Sequence, residues 1–219
     1  MGAVLGVDGC KRGWVGVRWD GGAEVLVEAT IAELVRAAGP VDAIAIDIPI
    51  DLPAREPREA ERLARRELPG RASTVFNAPA LAVLDAVDYP AANAANREAL
   101  GLGLSKQTWY LVPKIRDVHD WLATSPSVPV VEAHPELCFA AMNGGVLVDG
   151  KTTARGEALR RTLLVGHGID VLAERRPGVA VDDVLDAAAT AWTARRLADG
   201  VAERLPAEPR ADRHPAIWT

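Results

Sequence analysis

Five carboxylates stand at positions where an acid is chemically conspicuous. Asp8 follows the apolar run Ala3-Val4-Leu5-Gly6-Val7, Asp47 interrupts Ala43-Ile44-Ala45-Ile46-Asp47-Ile48, and Glu132 interrupts Val128-Pro129-Val130-Val131-Glu132-Ala133. An ionisable group set in apolar surroundings needs a partner or a task. Asp183 and Asp186 lie three residues apart in an Ala-rich stretch, which places them on one side of a helix, one turn apart. Brought together, such acids repel one another and resist ionisation unless divalent cations neutralise them. Hard oxygen donors suit Mg²⁺ or Mn²⁺, the expected cofactor. Two such ions ~3.5–4 Å apart activate a water and steady the leaving oxygen in phosphodiester cleavage. Asp8, Asp47, Glu132, Asp183 and Asp186 are thus the expected catalytic metal ligands.

Each acid also has a plainer reading. Asp8 begins an Asp-Gly pair, and Asp favours turns by bonding its own backbone. Asp182 and Asp183 open a helix, where negative charge is favourable without any function. Glu132 and His134 share one side of a strand, so a salt bridge or hydrogen bond explains them equally well. Arg55 to Arg71 holds six arginines against four glutamates, the pattern of a helix laced with ion pairs. Phosphate contact by Arg62, Arg66 or Arg71 is the sharper alternative. Lys11, Arg71, Ser73, Thr74 and Lys106 are expected to guide a substrate phosphate. Asp51 and His134 have no assigned role.

The elements that must position these residues follow from pattern. Ala3–Val7 reads as a buried strand entering a loop over Asp8-Gly9-Cys10-Lys11-Arg12-Gly13. Trp14–Trp19 and Glu24–Ala29, split by Asp20-Gly21-Gly22, complete an antiparallel three-strand meander. Thr30 with Glu33 forms a capping box for a helix that ends at Gly39-Pro40. The near-continuous apolar run around Ile46 suits a parallel strand buried on both faces. A helical insert over about 55–123 is expected to cover one sheet face, and the run at 128–135 is expected to be the last strand. An Ala-rich helix from Asp182 to about Asp199 closes the fold.

This order predicts an α/β fold with the mixed sheet of the ribonuclease H-like layout, an antiparallel meander plus parallel strands reached by right-handed crossovers. In it the first strand and the later parallel strands are central neighbours, so acids at their carboxyl ends converge in one crevice. One domain over 1–205 is expected, with 206–219 a loosely ordered tail.

Composition excludes several roles. A 219-residue chain with 49% hydrophobic and 25% charged residues is an ordinary globular protein. Cys10 and Cys138 are far apart, lack a CxxC companion and follow no signal peptide, so a cytoplasmic protein with free thiols is expected. No apolar run reaches the roughly 20 residues of a membrane span, and no membrane partner is expected. A net charge of -5 argues against bulk coating of nucleic acid. Nucleic acid as substrate must then be contacted locally. Oligomeric state is left open, a homodimer included.

The chain resembles a family of uncharacterised prokaryotic proteins predicted to be nucleases with a ribonuclease H-like fold. The resemblance rests on Gly6-Val7-Asp8-Gly9-Cys10 with Gly13-Trp14, Ile46-Asp47-Ile48-Pro49, and Arg71-Ala72-Ser73-Thr74-Val75-Phe76 with Pro79. Ser105-Lys106-Gln107, Lys114-Ile115-Arg116-Asp117-Val118, Glu132-Ala133-His134-Pro135-Glu136 and Lys151-Thr152-Thr153 with Gly156 extend it along the chain. Asp183-Val184-Leu185-Asp186 is similar to the closing acidic helix of Holliday-junction resolvases, which implies a metal-holding role for both acids. Two other functions fit the sequence less fully. Sugar-kinase and actin-like ATPases also place an acid beside a Gly-containing phosphate loop, but 219 residues cannot hold their duplicated domain. A non-catalytic module that binds a metal or partner in an acidic crevice is the third.

Overall fold

The computed structural model describes residues 2–171, 176–208 and 215–219. Strand β1 (Val4–Cys10) runs antiparallel to β2 (Gly13–Trp19), which pairs with β3 (Ala23–Glu28). Helix α1 (Ile31–Ala38) follows. Glu33 N–H donates to Thr30 Oγ1 at 3.3 Å and Thr30 N–H to Glu33 at 3.2 Å, the expected capping box. Strand β4 (Ile44–Ile46) lies parallel to β1. The insert contributes α2 (Glu59–Glu67), short 3-10 turns at Ala72–Thr74 and Leu81–Asp85, α3 (Tyr89–Leu100) and α4 (Lys106–Leu122). Strand β5 (Val130–Ala133) is parallel to β4, and α5 (Pro135–Asn143), α6 (Ala154–Gly166) and α7 (Val181–Ala198) come next. Two-residue strands β6 (Arg204–Leu205) and β7 (Ile217–Trp218) close the sheet, giving seven strands in the order β3-β2-β1-β4-β5-β7-β6.

The protein is therefore α/β, with a mixed seven-strand sheet and seven helices among the described residues. Two expectations need correction. β5 is not the last strand, because Glu132 and Ala133 pair with Ile217 and Trp218 of β7 inside the segment expected to be a loose tail. Part of that segment, 209–214, lies outside the described residues. The turn after β1 is also shorter than expected. Asp8, Gly9 and Cys10 all pair with β2, and only Lys11 and Arg12 form the turn. Asp8 thus sits within a strand, just past the last β1–β4 pair, Val7 with Ile46.

Alternation along the strands builds two cores. Leu5, Val7, Ile44 and Ile46 face α1 and the insert, where Leu34, Val83, Val112, Ile115 and Val118 bury them. Val4, Val15, Val17, Ala45 and Ala133 face Phe139, Leu164 and the alanines of α7. The insert does cover one face, as expected. Among the described residues no helix is long and apolar enough to cross a membrane.

Candidate active site

The approach of α7 to β1 decides where the acids go. A Cβ added to Gly6 would fall on the backbone of Ala187 and Ala191, so glycine here lets the helix lie directly on the strand. Ala187, Ala188 and Ala191 are fully buried in that contact, and Thr190 Oγ1 reaches the Val7 carbonyl at 3.4 Å. Two residues along β1 advance ~6.6 Å on the same face. One helical turn advances ~5.4 Å. Asp8 is therefore brought to the first turns of α7, and Asp183 and Asp186 both act on its charge.

Sheet register supplies the third acid. Gly6 pairs with Ala45, so Asp8 and Asp47 occupy the next same-facing positions on neighbouring parallel strands. The Asp47 N–H donates to the Val7 carbonyl at 2.9 Å, which keeps the chain in register just past β4. Burial, with Asp47 and Asp186 as the next causes, raises Asp8 well above the usual carboxylate range. Burial also pushes Asp47 and Asp186 up to about 7; Glu136 acts on both in the same direction and Lys151 opposes it. The cation among these acids is Lys151, whose Nζ lies 2.6 Å from Asp186 Oδ2 and 3.4 Å from Asp182 Oδ2. Burial works against its ammonium, but Asp186 and Asp8 more than offset this and raise it above the ordinary lysine range.

Asp183 is only partly free. Its Oδ2 accepts the Ala180 N–H at 3.0 Å, so one oxygen caps α7, while partial burial raises its pKa above the usual carboxylate range. The capping reading and the cluster reading both describe it.

Glu132 stands on the other face of the sheet, although it acts on the charge of Asp47 and lines a cavity with it. It pairs with Ile46, not with the Asp47 level, and the pleat turns it to the insert face. There Arg58 donates to its two oxygens at 2.7 and 2.8 Å, and the Ile50 N–H donates at 2.7 Å. Arg58 also donates to Glu61 at 2.9 Å and to the Ile50 carbonyl. Burial raises the pKa of Glu132 and Arg58 opposes it. Glu136, in the first turn of α5, is a further acid that acts on both Asp47 and Asp186. One of its oxygens accepts from buried Arg160 at 2.6 Å, and the other is buried without a hydrogen-bond partner among the described residues.

The expected phosphate guides divide in the same way. Arg71, Ser73 and Thr74 line a cavity of about 340 Å³ together with Asp47, Glu136, Lys151 and Asp186. A second cavity, of about 240 Å³, opens onto Asp8, Asp47 and Glu132 beside Thr74, Lys114 and His134. Lys114 donates to the Gly13 carbonyl and lies 4.7 Å over the Trp14 ring. Burial lowers the pKa of both Lys114 and His134. Lys11 is exposed in the β1–β2 turn, and Lys106 stacks 5.8 Å over Tyr89 on the insert. Asp51 is exposed, with a positive φ of 58°. Lys151, Glu136 and Arg58 carry site charges that the sequence reading did not assign. The first two lie in recognised motifs, which was the available signal.

Asp8, Asp47 and Asp186 outnumber the ammonium groups beside them, Lys151 and Lys114, and their hard oxygens are of the donor class that suits a divalent cation. Among the described residues no group of three or more His, Cys, Asp or Glu is placed so that it could hold a metal ion. No curated protein and no solved structure matches the chain. Over residues 6–211 it matches the family described as a protein of unknown function, DUF429, and the chain belongs to that family.

Proposed function

We propose that the protein is a divalent-metal-dependent nuclease of ribonuclease H-like fold, acting on a nucleic-acid phosphodiester in the cytoplasm. One observation carries the reading. Carboxylates from β1, from the end of β4 and from α7 face one another on one side of the sheet, with Lys151 among them. The adjacent β1, β4 and β5 after an antiparallel meander support the fold assignment. Asp8, Asp47 and Asp186 would hold Mg²⁺ or Mn²⁺, with Asp183 beside them. Bound there, such an ion supplies charge stabilisation and an activated water for phosphodiester hydrolysis.

The chain's own groups do the rest. Arg71, Ser73 and Thr74 line the cavity next to the acids and offer donors to a phosphate oxygen. The Arg71 backbone carbonyl accepts from Thr74 Oγ1 at 2.8 Å, which fixes that short turn. The apolar surroundings of Asp8 and Asp47 hold back bulk water and keep the acids in need of a counter-charge. Lys114, close enough for Asp8 and Asp183 to act on its charge, stands on the other side as a second cation for the backbone.

The test is cleavage of single-stranded, duplex, hybrid and branched substrates with Mn²⁺ or Mg²⁺. Asp8→Asn and Asp186→Asn are expected to lose on the order of 10²–10³-fold in rate. Equal cleavage by the wild type and both variants refutes the assignment, as does inertness of the wild type on every substrate.

A further inference from the structure

The loop between α5 and α6 carries Lys151-Thr152-Thr153 and, three residues on, Gly156. Its path is held from two sides. Arg71 donates from Nε to the Leu147 carbonyl at 3.2 Å and from a terminal nitrogen to the Val148 carbonyl. Buried Arg160 donates to the Asp149 carbonyl at 3.2 Å. Thr153 closes the turn, its N–H donating to the Gly150 carbonyl at 3.0 Å and its hydroxyl at 2.8 Å. Gly156 lets α6 start against that carbonyl, because a Cβ there would overlap it. Three arrangements thus converge on delivering one ammonium to one place, 2.6 Å from Asp186 Oδ2.

We propose that Lys151 is a tethered cation occupying one of the cluster's cation positions, so that a divalent ion binds Asp186 only as the ammonium withdraws. This rests on the metal reading above. Asp186 Oδ2 lies at hydrogen-bond distance from the ammonium, and Mg²⁺ draws its oxygens to ~2.0–2.1 Å, so both cations on this oxygen would be in strong mutual repulsion. Lysine is suited to leaving. Its point charge rides on a flexible four-carbon stem, and the side chain is 40% exposed, which leaves a route to solvent without movement of the loop. Asp182, 3.4 Å from Nζ, lies nearer the surface and offers the displaced ammonium a second partner. The metal-free site is thereby kept from collapsing under its own charge, and metal entry acquires a competitor.

Calorimetric titration of the full chain with Mn²⁺ tests this, comparing wild type, Lys151→Met and Lys151→Arg. Removal of the tethered charge is expected to tighten Mn²⁺ binding by about tenfold or more, since charge count at the ligands sets such affinities. Lys151→Arg, which retains the charge, is expected to stay near wild type. Equal or weaker binding by Lys151→Met overturns the proposal while leaving the metal reading intact. No Mn²⁺ uptake by any of the three at millimolar concentration overturns both. Should Lys151→Met fail to fold, ¹⁵N resonances of the wild-type lysine ammonium groups decide. The Lys151 signal is expected to change on saturation with Mg²⁺, and an unchanged signal contradicts displacement.

Discussion

The two faces of the sheet treat buried acids in opposite ways. On the insert face Glu132 and Glu61 share Arg58, and Glu132 also accepts the Ile50 N–H. On the α7 face Asp8, Asp47 and Asp186 share Lys151, held by a loop, with Lys114 beside Asp8, and among the described residues no hydrogen bond reaches the Asp47 carboxylate. A guanidinium that bonds its carboxylates through several N–H groups makes a structural joint. A surplus of carboxylates around movable ammonium groups leaves charge for something else to neutralise. The contrast separates the acid that holds the insert to the sheet from the acids available for chemistry.

Breaking the joint should have the largest effect on stability. Arg58→Met leaves Glu132 and Glu61 buried without their cation and is expected to cost about 3–5 kcal/mol, read as a lowered midpoint in urea. An undisturbed midpoint would show that the pair is dispensable. Gly6→Ala comes next. Its Cβ collides with the α7 backbone, so a loss of roughly 1–3 kcal/mol or more is expected, together with weaker Mn²⁺ binding as Asp186 is displaced. Retained affinity would separate the helix contact from the site.

Changing pH probes the opposite face. Asp47 and Asp186 titrate near 7 when folded, against 3.8 as the ordinary value. The folded state therefore binds more protons than the unfolded one between about 4 and 7, so metal-free stability falls as pH rises through that window. Thermal midpoints at pH 5 and pH 8 should show the fall, and Asp186→Asn or added Mg²⁺ should reduce it. A pH-independent midpoint contradicts the crowded-acid description. Smallest of all, Lys11→Ala and Lys106→Ala should change stability by no more than about 0.5 kcal/mol. Both side chains stand apart from the two cavities, so cleavage should also be unaltered, and a large loss in either assay would extend the site outward.

Legibility in the sequence followed the range of the interactions. The Thr30–Glu33 box and the helix opening at Asp182 are local, and both were readable from a few residues. Asp8 and Asp47 were readable because an acid in an apolar strand is conspicuous. Glu132 is equally conspicuous, yet its direction depends on which residue of β4 it pairs with, and a one-residue difference in register turns it to the other face. Lys151 reaches Asp186 across 35 residues through a loop set by Arg71 and Arg160, contacts that leave no periodic trace. Strand β7 is two residues long, too short for an alternating pattern, and is specified by pairing with β5. Asp-Gly at positions 8–9 suggested a turn, but pairing with β2 carries the strand on to Cys10.

The most direct measurement is the anomalous difference density of a crystal soaked in Mn²⁺. A peak bounded by Asp8, Asp47 and Asp186, with Glu132 still held by Arg58, is the predicted result. A peak ligated by Glu132, or no peak among the three aspartates, would contradict the division of labour between the two faces.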